Sequence, residues 1–279
     1  MKIVLAKSAG FCFGVKRAVN MAFQAAEEDE NICSLGPLIH SPQLVERLEA
    51  EGISVINDIN AVTDQSVIVR SHGITRQEEE YLYEHKLKVV DATCPFVKKA
   101  QKYAGLLGAE GYSVVIVGEK EHPEVQGILS YVQNAEVFVA ADVETAAQLS
   151  LGKKVGLVAQ TTQAYENFSS IALKLLERGK ELRIFNTICD ATSVRQNEAR
   201  ELAAAVDVML VIGGYNSANT NRLARICREI QPNTYHIETA EEILVSWFDG
   251  VERVGITAGA STPEWIICEV VVKLEKIQK

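Results

Sequence analysis

Short runs of apolar, mostly β-branched residues alternate along the chain with longer segments in which apolar residues recur every three or four positions. The short runs predict buried strands, and the longer segments predict amphipathic helices. In the segment 42–51, for example, Leu44, Val45 and Leu48 have a helical spacing. This alternation of strands and helices indicates an α/β fold with parallel sheets covered by helices.

Six strands and nine helices are predicted from this pattern, with ends placed to within about two to four residues. The strands are Ile3–Ala6, Val67–Arg70, Val114–Val117, Lys154–Ala159, Val208–Ile212 and Val254–Thr257. The helices are Val15–Glu28, Pro42–Glu51, Arg76–His85, Val97–Glu110, Glu124–Val132, Tyr165–Arg178, Ser193–Ala205, Ser217–Ile230 and Pro263–Ile277.

Nearly every predicted strand runs into a small, polar or glycine-containing turn, which a helix follows. Ligands of open α/β sheets bind beyond the carboxyl ends of the strands. We therefore expect these turns to carry ligand-binding groups, in a weak internal repeat of strand, turn and helix. The turns lie at 35–42, 70–73, 118–124, 159–163, 213–219 and 258–263.

The composition narrows the classes of function. The chain has 279 residues, 47% of them hydrophobic, which is enough to bury the core of one to three domains. Its net charge of −9 argues against non-specific nucleic-acid binding. No apolar run is long enough for a signal peptide or a membrane span, so we expect a soluble, cytoplasmic protein. In that compartment the six cysteines favour metal binding, redox chemistry or burial over disulfides.

Three of the cysteines share a local context, because each ends an extended segment and precedes a predicted helix that is basic near its start. They are Cys12, Cys94 and Cys189, separated by 82 and 95 residues (12 to 94 and 94 to 189). A helix N-terminus stabilises a thiolate, and Lys16, Lys98 and Arg195 add positive charge within about two turns. Three similar α/β units that each supply one thiolate would form a metal or cluster site with an open fourth position.

The residues alone indicate a metal site more clearly than they indicate which metal it binds. No two cysteines form a C-x-x-C pair, so a zinc ribbon is disfavoured. Cys94-Pro95 is similar to the Cys-Pro that ends some iron–sulfur ligand runs. Cys33 lies in the strand-like segment 32–35, and Cys227 and Cys268 lie in helical apolar patterns, so we expect all three to be buried apolar residues.

Histidine and acidic residues in the turns suggest anion binding and proton transfer. His40, His72 and His122 occupy strand-to-helix turns, where histidine can donate to phosphate oxygens or move protons near neutral pH. The alternative is a structural hydrogen bond, which we favour for His236. Glu124 follows His122 at a predicted helix start, where it either complements the helix dipole or donates a proton.

Hydroxyl and amide residues at other predicted helix starts have two compatible interpretations. Ser217, Asn219 and Ser261 can cap their helices, and the same groups can bind an anion. Thr161 and Thr162 are similarly ambiguous. The Gly-Gly pair at 213–214 allows close approach of the backbone, but it matches neither a P-loop nor a dinucleotide fingerprint.

Eight motifs in the same order carry a resemblance that covers nearly the whole chain. They are Ala9-Gly10-Phe11-Cys12-Phe13-Gly14-Val15, Leu35-Gly36-Pro37-Leu38-Ile39-His40, Arg70-Ser71-His72-Gly73, Asp91-Ala92-Thr93-Cys94-Pro95, Glu121-His122-Pro123-Glu124, Gln160-Thr161-Thr162, Asn216 to Arg222, and Thr257-Ala258-Gly259-Ala260-Ser261-Thr262-Pro263. The sequence resembles the 4-hydroxy-3-methylbut-2-enyl diphosphate reductases, which catalyse the last step of the methylerythritol phosphate route to isoprenoids.

The resemblance implies a trefoil of three similar small α/β domains, with mostly parallel sheets, around a central iron–sulfur cluster. The domains would comprise residues 13–94, 95–189, and 190–279 together with 1–12. Cys12, Cys94 and Cys189 would hold three irons of a [4Fe-4S] cluster, and the fourth iron would bind substrate.

The resemblance also implies residue roles. Glu124, Thr161 and His122 would be catalytic, with Glu124 and Thr161 feeding protons. The substrate would be bound by His40, His72, His122, Thr161, Thr162, Ser217, Ala218, Asn219 and Ser261. Members of the family commonly have a second serine where this chain has Ala218, so only the backbone N–H is available there.

The implied activity is the two-electron reductive dehydroxylation of (E)-4-hydroxy-3-methylbut-2-enyl diphosphate to isopentenyl and dimethylallyl diphosphate. A ferredoxin- or flavodoxin-type protein would supply the electrons, with no nucleic acid or membrane as partner. Three alternatives stay open on the residues: a non-catalytic iron–sulfur or metal-binding redox sensor, a zinc hydrolase that uses the same thiolates, and a metal-free binding protein with capped helices.

Overall fold

The computed structural model of the protein describes residues 1–63 and 66–277. Within these ranges, twelve strands and ten α-helices alternate along the chain. The strands are β1 (Lys2–Leu5), β2 (Ile32–Leu35), β3 (Ser54–Ile56), β4 (Ser66–Val69), β5 (Val89–Asp91), β6 (Ser113–Val117), β7 (Val137–Ala140), β8 (Lys154–Ala159), β9 (Glu181–Ile184), β10 (Val208–Ile212), β11 (Thr234–Ile237) and β12 (Arg253–Ala258). The helices are α1 (Phe13–Glu28), α2 (Pro42–Ala50), α3 (Arg76–Glu84), α4 (Pro95–Ala109), α5 (Pro123–Ser130), α6 (Val143–Gln148), α7 (Tyr165–Leu176), α8 (Asp190–Ala203), α9 (Ala218–Ile230) and α10 (Glu264–Ile277).

The strands of the described residues form three sheets of four strands each, and all neighbouring strands run parallel. Sheet A has the order β1-β12-β10-β11, sheet B the order β3-β2-β4-β5, and sheet C the order β7-β6-β8-β9. Parallel neighbours need a crossover connection, which the intervening helices provide. The predicted fold class of three similar α/β units with parallel sheets is confirmed.

Sheet C shows why its central strands consist of unbroken apolar runs. Along β6, Val115 and Val117 belong to one buried cluster, whereas Val114 and Ile116 belong to another. Successive side chains of a strand point to opposite faces, so both faces of this sheet are covered. Sheet A repeats the pattern along β10.

The chain forms two compact units. The first unit comprises Met1–Lys16, Ile39–Glu46 and Asp190–Lys279, and it contains sheet A. The second unit comprises Arg17–Leu38 and Arg47–Cys189, and it contains sheets B and C. The strand β1 lies in sheet A because it pairs with β12, with Ile3 opposite Val254. The domain boundaries at 94/95 and 189/190 stay a prediction.

All nine predicted helices and all six predicted strands occur within the described residues, and their ends differ by at most three residues. The pattern missed α6 and the sheet-edge strands β3, β5, β7, β9 and β11, which have three or four residues each, and β2 was identified only as the strand-like segment around Cys33. Such short, partly exposed strands bury too few side chains to leave an apolar run in the sequence. No helix in the described part of the chain is long and apolar enough to cross a membrane.

Candidate active site

The three cysteines with a shared context lie directly before helices. Cys12 precedes α1, Cys94 precedes α4 and Cys189 precedes α8, and each of them is partly exposed. The carbonyl groups of Cys12 and Cys94 accept the first helical hydrogen bonds, from the N–H groups of Lys16 (2.9 Å) and Lys98 (3.1 Å). Each thiol is therefore next to the exposed N–H groups of a helix N-terminus, where a thiolate is stabilised.

The other three cysteines have different surroundings. Cys33 and Cys227 are fully buried, as predicted. Burial raises the pKa of the Cys33 thiol, and it raises the pKa of Cys227 to about 12, so both stay protonated at neutral pH. The prediction that Cys268 is buried is wrong, because it is exposed. The buried face of α10 runs through Ile267 and Val270, and Cys268 lies about 100° away from Ile267 around the helix axis.

In the second unit, the Cys94 loop is held beside a histidine pair. The N–H of Cys94 donates to the carbonyl oxygen of Ser71 at 2.9 Å, directly before His72. The rings of His72 and His122 meet edge to face, with centroids 5.5 Å apart. These two predicted substrate-binding histidines are therefore neighbours, close to the loop that carries Cys94.

A buried carboxylate continues this cluster of polar groups. His122 caps α5, and its Nδ1 accepts the N–H of Glu124 at 3.1 Å. The Glu124 side chain is only 2% exposed and accepts two hydrogen bonds from one residue: from the N–H of Thr161 at 2.6 Å and from its Oγ1 at 2.9 Å. The carbonyl oxygen of Thr161 accepts the N–H of Cys189 at 2.9 Å.

These contacts connect two cysteines through one continuous set of groups in the second unit. The order is Cys94, Ser71-His72, His122, Glu124, Thr161 and Cys189. Thr162 follows in the same loop and is half-buried. A carboxylate bonded to a hydroxyl, next to histidines and thiols, is suited to proton transfer beside a metal.

In the first unit, the Cys12 loop lies against the loop that follows β12. The N–H of Cys12 donates to the carbonyl oxygen of Ala260 at 3.2 Å. The next residue, Ser261, donates from Oγ to the carbonyl oxygen of His40 at 3.2 Å. Cys12, Ser261 and His40 are thus brought together by two consecutive residues of one turn.

The Gly-Gly turn after β10 also lies beside His40. Gly213 has φ +142°, and a Cβ there would lie 2.4 Å from Oγ1 of Thr262. A Cβ on Gly214 would lie 2.8 Å from the carbonyl oxygen of His40. The close backbone approach predicted from this pair of glycines is confirmed.

The start of α9 presents donors in a buried position. Ser217 caps the helix, and its Oγ accepts the N–H of Thr220 at 3.3 Å. Asn219 is 5% exposed, yet its Nδ2 has no hydrogen-bond partner among the described residues. A buried donor without a partner costs free energy unless a ligand or water satisfies it. The helix start, the Asn219 amide and the backbone N–H of Ala218 together suit an anion.

The sequence profile described as LytB protein matches residues 3–275, which is nearly the whole chain.

The chain belongs to the LytB protein family.

Proteins of known name are similar to this chain over its full length. The 4-hydroxy-3-methylbut-2-enyl diphosphate reductase of Syntrophotalea carbinolica is 62% identical over 279 residues, which is 100% of both chains. The protein of the same name from Geobacter sulfurreducens is 58% identical over 276 residues, covering 99% of this chain and 98% of the relative. The family resemblance recognised from the motifs is confirmed, and with it the prediction of an enzyme of the reductase class.

Two solved structures of the LytB family have the same fold. One is an (E)-4-hydroxy-3-methyl-but-2-enyl diphosphate reductase, described as the terminal enzyme of the non-mevalonate pathway. It is 47% identical, covers 99% of this chain and 100% of its own, and has a TM-score of 0.72. The other is the E-1-hydroxy-2-methyl-but-2-enyl-4-diphosphate reductase from Plasmodium falciparum, which is 27% identical, covers 97% of this chain and 87% of its own, and has a TM-score of 0.91.

The donor set of this LytB chain fits an iron–sulfur cluster. No disulfide joins any of its cysteines in the part of the chain that the structure describes. The three cysteines before α1, α4 and α8 are accessible and lie at helix N-termini, whereas Cys33 and Cys227 are buried. Thiolates are the ligands that iron–sulfur clusters take, so these three are the candidates to hold one.

The predicted contribution of Lys98 is modified by a partner. Lys98 forms an ion pair with Asp91 at the end of β5. Burial opposes ionisation of Asp91, but hydrogen bonds from Lys98 and Thr93 outweigh it and lower the pKa of that carboxyl. Much of the Lys98 charge is therefore balanced by Asp91, so Lys98 contributes less positive charge near Cys94 than its position in the sequence predicts.

Sequence reasoning missed Arg17 and gave Arg195 only a general electrostatic role. The Arg17 guanidinium donates to the carbonyl oxygens of Thr93 (3.1 Å) and Asp91 (3.3 Å), which precede Cys94. The Arg195 guanidinium donates to Ala258 (2.8 Å) and Gly10 (3.0 Å). The available signal was a basic residue five or six positions after a cysteine, but its main-chain partners leave no trace in a sequence.

Proposed function

We propose that this chain converts (E)-4-hydroxy-3-methylbut-2-enyl diphosphate into isopentenyl diphosphate and dimethylallyl diphosphate. The printed names of the full-length relatives and the family membership support this reaction. The observation that carries it is the buried Glu124 carboxylate, which is bonded to both the N–H and the hydroxyl of Thr161. A redox sensor would have no use for such a group beside its ligands.

Cys12, Cys94 and Cys189, hereafter the cluster cysteines, hold a [4Fe-4S] cluster in this proposal. When bound, the cluster supplies two electrons one at a time and a Lewis-acidic iron without a protein ligand. The electrons come from an external one-electron carrier of the ferredoxin or flavodoxin type, and we place the reaction in the cytoplasm. Helix N-termini at all three thiols favour the thiolate form that ligation requires.

The diphosphate group is bound by hydrogen-bond donors from several loops. Ser217, Asn219 and the N–H of Ala218 offer donors at the start of α9, and Ser261 and the histidines His40, His72 and His122 add further ones. Thr162 completes the set. Two features support this role: the buried Asn219 amide, which has no partner among the described residues, and the backbone approach that Gly213 and Gly214 permit. Fixing the diphosphate positions the reacting carbon, a contribution of several kcal/mol in principle.

Proton delivery to the departing hydroxyl group is assigned to Glu124 through Thr161. The hydroxyl of Thr161 donates to Oε2 of Glu124 in the resting geometry. When Glu124 is protonated, this bond reverses: Oε2–H gives its proton to Oγ1, and Oγ1 passes its own proton to the substrate oxygen. The carbon–oxygen bond then breaks and water leaves. His122 orients Glu124 by accepting its N–H.

The reaction consumes two electrons and two protons for each water released. The first proton leaves with the hydroxyl group, and the second forms a carbon–hydrogen bond at one end of the allyl fragment. Protonation at one end gives isopentenyl diphosphate, and protonation at the other gives dimethylallyl diphosphate. The bound diphosphate delivers this second proton, and the neighbouring histidines donate hydrogen bonds to its oxygens.

Anaerobic turnover tests the proposed function. The reconstituted protein is mixed with the hydroxylated substrate and dithionite-reduced methyl viologen, and both products are quantified by mass spectrometry. We expect both isomers, with about two electrons consumed for each product molecule. A Cys33→Ser variant should behave like the natural chain, whereas a Cys189→Ser variant should be inactive. A fully loaded protein that consumes no substrate would refute the proposal.

A further inference from the structure

Two arginines are anchored in the same way near two different cluster cysteines. Arg17 lies on α1, the helix that begins after Cys12, and Arg195 lies on α8, the helix that begins after Cys189. Each uses two guanidinium nitrogens to bind two main-chain carbonyl groups. In both cases at least one of the two carbonyl groups lies one or two residues before another cysteine: Thr93 before Cys94, and Gly10 before Cys12.

The Arg195 contacts enclose the Cys12 loop. Its guanidinium bonds to Gly10, two residues before Cys12, and to Ala258, two residues before Ala260. The N–H of Cys12 in turn donates to Ala260. The segments 10–12 and 258–260 are thus joined twice. Arg195 links their first residues, and the hydrogen bond between Cys12 and Ala260 links their last residues. Arg195 is 3% exposed, so these hydrogen bonds are shielded from water.

The Arg17 contacts hold the Cys94 loop. Its guanidinium bonds to the carbonyl groups of Asp91 and Thr93, the residue directly before Cys94. The N–H of Cys94 is fixed separately by Ser71. The Cys189 loop has a hydroxyl instead: Oγ1 of Thr187 accepts the N–H of Ala159 at 2.8 Å and donates to its carbonyl oxygen at 2.5 Å.

We propose that Arg17 and Arg195 are positioning residues for the metal centre, Arg17 for Cys94 and Arg195 for Cys12. A planar guanidinium can bind two carbonyl groups at a fixed separation, which a lysine ammonium cannot reproduce. Each arginine therefore sets the path of the backbone that presents a sulfur atom. The inference rests on the proposed cluster function, but the geometry it invokes exists without any cluster.

The test uses alkylation of the metal-free protein. The chain is unloaded with a chelator, treated briefly with iodoacetamide, and digested, and the labelling of each cysteine is followed by mass spectrometry. In Arg195→Gln we expect the partly exposed Cys12 to react about tenfold faster. Without the two charge-assisted hydrogen bonds of Arg195, its loop opens more easily and exposes the sulfur atom. Cys94 should react at the rate of the natural chain. In Arg17→Gln the pattern should be reversed.

A general loss of stability would raise the alkylation rates of Cys12 and Cys94 together in both variants, rather than one rate in each. Arg200→Gln is the matched control, because Arg200 also lies on α8 but is partly exposed and donates to the side chain of Asn197 rather than to a cysteine loop. It should leave both rates unchanged. In Arg195→Lys the alkylation rate of Cys12 should lie between the rates of Arg195→Gln and the natural chain. In Arg195→Ala, guanidinium ion at a non-denaturing concentration should slow the alkylation of Cys12.

A second arm measures iron and sulfide after anaerobic reconstitution. We expect both glutamine variants to load less cluster than the Arg200→Gln control, and to lose it faster to a chelator. Unchanged alkylation rates of Cys12 in Arg195→Gln and of Cys94 in Arg17→Gln would overturn the inference. This holds even if the natural chain takes up a normal amount of iron and sulfide. If the natural chain takes up no iron, the proposed function fails, whereas the alkylation pattern still decides the positioning of the two loops.

Discussion

Replacing Glu124 by glutamine changes the charge and the transferable proton of the candidate acid while keeping its shape. Glu124 is 2% exposed and accepts the N–H of Thr161 at 2.6 Å and its Oγ1 at 2.9 Å. A glutamine carbonyl can still accept the N–H, and the Thr161 hydroxyl can turn to accept from the amide NH₂. Two charge-assisted hydrogen bonds become neutral ones, which we expect to cost about 1–3 kcal/mol of folding stability in total.

The expected effect on turnover is larger than the effect on stability. General acid catalysis typically contributes about 10²–10⁴ in rate, which corresponds to roughly 3–5 kcal/mol at about 1.4 kcal/mol per factor of ten. We therefore expect kcat of Glu124→Gln to fall by about two to four orders of magnitude. KM and the iron content should stay within about threefold of the natural values, because the anion-binding donors and cysteines are untouched.

The assay combines anaerobic kinetics with a double-mutant cycle. Thr161→Val removes the relay hydroxyl but keeps the backbone bond to Glu124, and Thr161→Ser keeps both. Groups that act in one proton path lose activity together, so the Glu124→Gln/Thr161→Val double variant should be little slower than the slower single variant. Glu121→Gln, an exposed carboxylate in the same loop, is the matched control and should keep its rate. A Glu124→Gln rate within tenfold of the natural chain, or fully additive losses, would refute this path.

Further predictions concern the ligands and the remaining thiols. Serine at any one of the cluster cysteines should abolish cluster retention in an iron and sulfide assay, whereas Cys33→Ser should retain it; equal iron in all four variants would contradict this sorting. Asn219→Ala should raise KM by about tenfold with little change in melting temperature, since its Nδ2 bonds to no described residue; an unchanged KM would remove Asn219 from the anion site. In metal-free protein, Cys268 should be alkylated before Cys33 and Cys227, because Cys268 is exposed, whereas burial raises the pKa of Cys33 and raises that of Cys227 to about 12; equal rates of these three would argue against this difference.

The apolar pattern predicted the fold where burial on both sides of a sheet leaves a long signal. The strands β6, β8, β10 and β12 have five or six residues each, and nearly all of those residues are buried. An edge strand such as β9 has the sequence Glu-Leu-Arg-Ile, in which no residue is fully buried. Its position is determined by pairing with β8, which is a tertiary interaction and leaves no local pattern.

The candidate site was predictable in its chemistry but not in its connections. Thiols, histidines and the Glu124 carboxylate were identifiable because they recur in the turns after strands, where ligand-binding groups of parallel sheets lie. The bond from Arg195 to Gly10 joins residues 185 positions apart and ends on a carbonyl group, which every residue has. The prediction that Cys268 is buried was wrong for a different reason. Its helix is rich in apolar residues, but the position of a residue around the helix axis determines whether it is exposed.

Iron and acid-labile sulfide, measured per chain after oxygen-free purification, test the central claim that the cluster cysteines hold an inorganic cluster. We expect about four of each in the natural chain, as for a cubane cluster, and a near-complete loss of both when a cluster cysteine is replaced by serine. Zinc in place of iron, or the same iron and sulfide content in the serine variants, would contradict it.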